Sequence, residues 1–174
     1  MIKISLIIVT LLCSNLVAVA TDIKTLRGLM GAAYTSETSA KKFYNDTRNF
    51  STKSGATLLG FKAIAEVMMC KHLLNPLSKL TYFNKGKKNL EQAIALEKNN
   101  PELRFMRYCT QVNAPDMLGY NTAINTDKAF LIEYLQSQKN TNPKNDEALY
   151  DNVKKFLLED KHCSNTEKNL IKQL

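Results

Sequence analysis

Arg104 and Arg107 are the residues whose type and spacing most readily suggest chemistry. They are two of four arginines in 174 residues, three apart in a segment whose apolar residues recur at helical steps. Residues at that spacing share a helix face, and paired guanidinium forks bind a carboxylate, phosphate or sulfate with bidentate hydrogen bonds. The chemistry implied is an anion clamp. The competing expectation is that both arginines bridge helices through Glu66, Glu102, Asp127 or Glu133. Arginine is the usual choice for partly buried ion pairs, which favours that structural role. Tyr120, after Gly119 in the loop that follows Ala114-Pro115, is the third candidate. Its ring either faces a partner or plugs the loop onto the core, the plug being the more common use of such a residue.

The remaining reactive side chains form no recognisable constellation. His72 and His162 are the only histidines, and neither lies in an HExxH helix. His72 near Cys70 and His162 beside Cys163 each offer two ligands, too few for a metal site. No GxSxG elbow, P-loop or dinucleotide loop occurs, so neither a catalytic group, a metal nor a cofactor is expected. Met68-Met69 falls in a wholly apolar segment and reads as core packing. The N-glycosylation patterns at Asn45 and Asn49 carry no weight in so asparagine-rich a chain. Of the four cysteines, Cys70 and Cys109 fall on apolar helix faces, where a free thiol behaves as a small hydrophobe. A Cys70–Cys109 bridge between neighbouring helices is the alternative.

These side chains must be carried by helices. After residue 20 there is no alternating strand pattern, and apolar residues recur at three- and four-residue steps. Short amphipathic helices are expected around Ile23, Leu26 and Met30, and from Ser36 to Phe50 around Ala40, Phe43 and Tyr44, before a break at Lys53-Ser54-Gly55. From Ala56 to Leu74 the chain is apolar nearly all round, with Lys62 and Glu66 as its one polar stripe, which predicts a central helix wrapped by others. Asn75-Pro76 and Asn100-Pro101 each pair an N-cap with proline at the first helical position. They predict helices over 76–97, with Leu80, Phe83, Leu90 and Ile94 inward, and from Pro101 to before Pro115. A loop over 114–125, a helix over 126–138, a polar linker around Pro143 and two C-terminal helices complete the reading. The expected fold is all-α: a compact bundle of seven or eight helices arranged as hairpins, in one domain over 21–174.

The composition bounds the partners. Net charge is +8 at pH 7, from 24 basic and 16 acidic residues. The basic residues are mostly lysines scattered among asparagines, without the arginine-rich face of a nucleic-acid site. A solvated basic surface is expected, and no nucleic-acid partner. The first twenty residues join Lys3, an apolar run from Ile4 to Leu12 and Ala18-Val19-Ala20, the pattern of a signal peptide cleaved before Thr21. The run is short for a membrane span of about 20 residues. Lipidation at Cys13 is disfavoured by the bulky Leu12 before it. The chain is thus expected to be exported, to the periplasm or envelope of a Gram-negative cell or beyond it.

Two resemblances add to this. Gly86, Leu90, Ala93 and Ile94 stand where a tetratricopeptide half-unit places small and bulky residues, although Lys98 takes the turn proline's place and no second copy follows. The segment from Gly60 to Leu131, with Asn75-Pro76, Lys79-Leu80, Phe83 to Gly86, Glu102 to Phe105 with Arg107, and Leu118-Gly119-Tyr120, resembles a family of uncharacterised exported helical proteins of Bacteroidetes. That resemblance implies a signal peptide, a helical fold, an envelope setting and no assigned activity. The expected function is a non-catalytic interaction module whose partner is another envelope protein. The alternative is a small enzyme or binding protein for an anionic envelope compound, using Arg104 and Arg107.

Overall fold

In a computed structural model of the chain, residues 22–141 and 146–174 are described. The expected leader, the Cys13 site and the linker around Pro143 lie outside them. The described residues form eight α-helices and no strand, the all-α bundle predicted from spacing.

Local caps set most helix ends. Asp22 and Ser36 cap α1 (Ile23–Thr35) and α2 (Glu37–Thr47), and a single 3-10 turn at Thr52–Ser54 leads into α3 (Ala56–His72). The Asn75 side chain accepts from the Leu77 and Ser78 amides to start α4 (Pro76–Leu96). Asn100 does the same for Glu102 and Leu103 at the start of α5 (Pro101–Asn113). Another 3-10 turn, Asp116–Leu118, interrupts the loop before α6 (Ile124–Gln138). Asp146 caps α7 (Glu147–Glu159), and a Ser164–Glu167 capping box starts α8 (Asn165–Lys172). α3 stops two residues earlier than its apolar pattern predicts. Leu73 is already extended, and Asn75, extended before Pro76 as that ring requires, is given over to capping the next helix.

α3 lies at the centre of the first half, packed by α1, α2, α4 and α5. Its buried residues, including Phe61, Ile64 and Ala65, join Phe43, Leu90, Leu103 and Met106 in one core. The predicted Lys62–Glu66 stripe is used differently: Lys62 donates to the Phe50 carbonyl at 3.0 Å, and the buried Glu66 accepts from Asn89 at 2.7 Å. Burial pushes the Glu66 carboxyl above its ordinary range. A second core gathers Tyr108, Leu131, Leu135, Tyr150, Val153, Leu157 and Ile171 from α5 to α8. α5 serves both cores, Leu103 and Met106 on one side and Tyr108 on the other.

The α3–α4 crossing depends on a missing side chain. A Cβ on Gly86 would lie 2.7 Å from the Ala63 carbonyl oxygen and 2.7 Å from Val67 Cγ2. Backbone cannot yield as a side chain can, so Gly86→Ala is expected to cost about 1–3 kcal/mol, despite alanine's helix-propensity gain of about 1 kcal/mol. Gly60→Ala meets only the Leu103 and Met106 side chains and should cost less. Urea unfolding of both variants side by side checks the order; equal midpoints would contradict it.

Candidate functional site

α5 brings Arg104 and Arg107 to a single carboxylate. Asp127, in the first turn of α6 and 0 % exposed, accepts from Arg107 Nε at 2.7 Å and Nη2 at 2.8 Å. Arg107 Nη1 donates to Glu91 of α4 at 2.9 Å. Arg104 Nε lies 2.6 Å from Asp127 Oδ1, a charge contact in which the N–H direction misses hydrogen-bond geometry. Its guanidinium also stands 4.8 Å from the Phe130 ring centre. The hydrogen bonds to Asp127 raise the Arg107 pKa above the ordinary guanidinium value, against the opposing cost of burial. The fork geometry that suits an external anion is therefore occupied by Asp127, which ties α5 to α6, while Glu91 holds Arg107 to α4.

Tyr120 joins the same network as a plug. It is 4 % exposed. Its hydroxyl donates to Glu91 at 2.6 Å, its ring packs edge-on against Phe83 at 5.9 Å, and Lys87 Nζ lies 4.9 Å above the ring. The turn that seats it uses Gly119 at φ 57°, a left-handed conformation that glycine adopts at little cost. Gln111 fastens the far end of the loop by accepting from the Ala123 amide at 3.1 Å. All three candidate residues thus converge, and all three bind carboxylates of their own chain.

Sequence reasoning missed two further networks, because both join residues far apart in the chain. Arg27 of α1 donates to Glu102 of α5 through Nε, at 3.1 Å to each oxygen, and to Asp146 at 3.0 and 2.6 Å. Burial opposes the Arg27 charge, but these hydrogen bonds outweigh it and raise the pKa. They also hold Asp146 below the ordinary carboxylate range. This staple walls a cleft of about 1030 Å³ beside Tyr134, whose phenol burial pushes up to about 12. In the second network Asp160, at the end of α7, accepts from the Tyr108 hydroxyl and lies 2.9 Å from His162 Nδ1. His162 edges a hollow of about 480 Å³ beside the 114–125 loop. His72 Nε2 lies 2.8 Å from the Ala33 carbonyl, joining α3 to α1.

The cysteines follow the favoured expectation of free thiols and not the alternative of a bridge. Cys70, Cys109 and Cys163 are all free thiols, so Cys70 and Cys109 are not bridged. Cys70 turns to α4 and donates to the Lys79 carbonyl at 3.2 Å, whereas Cys109 feels the charge of Asp160 from α7. The two sulfurs belong to different halves of the molecule. Burial pushes the Cys70 thiol up to about 11 and the Cys109 thiol above its ordinary value. Among the described residues no three His, Cys, Asp or Glu side chains gather as a metal site.

One surface feature stands apart from these closed networks. At the α3–α4 turn Leu74 is 96 % exposed, Leu77 75 % and Leu80 43 %. Leu80 was expected inward; it sits one turn before Phe83, the first α4 residue to reach the core. Along the chain the charge around them is of one sign. Residues 67–90 contain Lys71, Lys79, Lys85, Lys87 and Lys88 and no Asp or Glu. That acid-free run is visible in the sequence and is the signal that the reading of evenly scattered lysines overlooked.

No family model, curated protein or solved structure matches this chain.

Proposed function

We propose that this protein is an exported, envelope-associated interaction module with no catalytic activity of its own, and that the α3–α4 tip is its contact surface. The exposed leucines carry the proposal. Soluble proteins seldom display neighbouring large apolar side chains without a use for them, and Leu74 and Leu77 are the two most exposed leucines among the described residues. The leader-like first twenty residues and the resemblance to exported Bacteroidetes proteins support the envelope setting. No helix among the described residues is long and apolar enough to cross a membrane, so the proposed association is through a surface. The anion-binding alternative would need a ligand to displace Asp127 from both Arg104 and Arg107, at the expense of a buried unpaired carboxylate.

Site-specific photo-cross-linking in the native host tests the reading. A photoreactive residue at Leu77 should trap an envelope component, whereas one at Leu170, exposed on α8, should trap little. Equal, low yields at both positions would remove the tip as a contact surface.

A further inference from the structure

We infer that the α3–α4 tip docks on the surface of an anionic lipid bilayer, with Leu74, Leu77 and Leu80 entering the interface and Lys71 and Lys79 meeting the headgroups. This rests on the reading of the tip as the contact surface and names what covers it. Leu74 lies in the extended link between helices, and Leu77 and Leu80 follow three residues apart on the first turns of α4. Leu77 and Leu80 therefore share one helix face.

The charge pattern identifies the interface as anionic. Lys71 and Lys79 are exposed beside the leucines, and no acidic residue occurs between Glu66 and Glu91. Long lysine stems can lie along apolar surface while the ammonium groups stay at headgroup level. Apolar burial combined with attraction to anionic lipid is the physics of interfacial attachment. Tyr34, 53 % exposed, lies beneath Lys71 with Nζ 3.2 Å from the ring centre, adding an amphipathic ring at the same end. Glu37, within electrostatic reach of His72, is paired with Lys41 at 2.7 Å and leaves the tip positive. A second copy is a poor occupant, because face-to-face tips would oppose two sets of lysines.

Flotation with lipid vesicles tests this, using the protein purified from its native host. Vesicles of equal parts phosphatidylcholine and phosphatidylglycerol should carry the protein up the gradient, and phosphatidylcholine alone should carry much less. The doubly substituted Leu74→Ser/Leu77→Ser protein should bind the mixed vesicles at least roughly ten-fold more weakly. Lys71→Gln/Lys79→Gln should weaken binding and flatten its salt dependence, which in the wild type should be steep towards about 1 M, where the Debye length is about 3 Å. All four positions are exposed, and coincident melting curves would show that the fold is unchanged. No flotation with either vesicle, equal flotation with both, or binding unaffected by the leucine changes would each overturn the bilayer assignment. If the Leu77 cross-linker traps a protein and no lipid, the bilayer is overturned while the tip remains a contact surface; if it traps neither, the underlying reading fails as well.

Discussion

Asp127→Ala is expected to lower folding stability by about 3–5 kcal/mol, the range seen when one partner of a buried ion pair is removed and the other is stranded. The site has the geometry for a loss of that size. Asp127 is wholly buried, and the side chains of Arg104 and Arg107 are only 14 % and 11 % exposed. Two cations lose their shared anion at once. Arg107 retains Glu91, itself 41 % exposed, so the loss should fall short of two independent strandings. Arg107→Met should be nearly as damaging, because Asp127 then keeps only the poorly aimed Arg104 contact. Arg104→Met should cost less, since the bidentate Arg107 pair survives it. Urea unfolding of the three variants, with the Asp127/Arg107 double variant closing the cycle, would measure the coupling. Millimolar sulfate or phosphate should leave the wild-type melting temperature unchanged. A rise that disappears in either arginine variant would show instead that these groups serve an external anion.

Ile64→Asp should abolish cooperative folding. Ile64 is buried in the first core on the helix that four others pack against. An unpaired carboxylate there costs several kcal/mol, and the cavity left by the lost aliphatic side chain adds to it. A domain's whole margin is about 5–15 kcal/mol. Lys62, the nearest lysine along α3, already donates to the Phe50 carbonyl. Leu77→Asp is the matched control: the same change of character on an exposed leucine should move stability by no more than about 0.5 kcal/mol. Circular dichroism melts would separate the pair. A wild-type-like melt for Ile64→Asp would displace α3 from the centre of the fold.

Features governed by neighbours in the chain were legible from residues alone. The Asn75-Pro76 and Asn100-Pro101 caps place two helix starts, because a cap acts over three or four residues. The all-round apolarity of 56–74 predicted a helix wrapped by others, since such a surface must be covered on every side, and α3 is the centre of the first core. The same reasoning listed Asp127 among several acids open to Arg104 and Arg107, but could not choose among them. That choice depends on how α4, α5 and α6 cross, as do the Arg27 staple, the parting of Cys70 from Cys109 and the outward turn of Leu80. A helical repeat tells which residues share a face; it does not tell how far that face is covered. Sequence determined the helices, their caps and the acid-free run around the α3–α4 turn. Only tertiary packing decided that the arginines face inward onto Asp127 while the leucines of that turn face water, because a contact between distant residues depends on helix crossing and cannot be read from spacing along the chain.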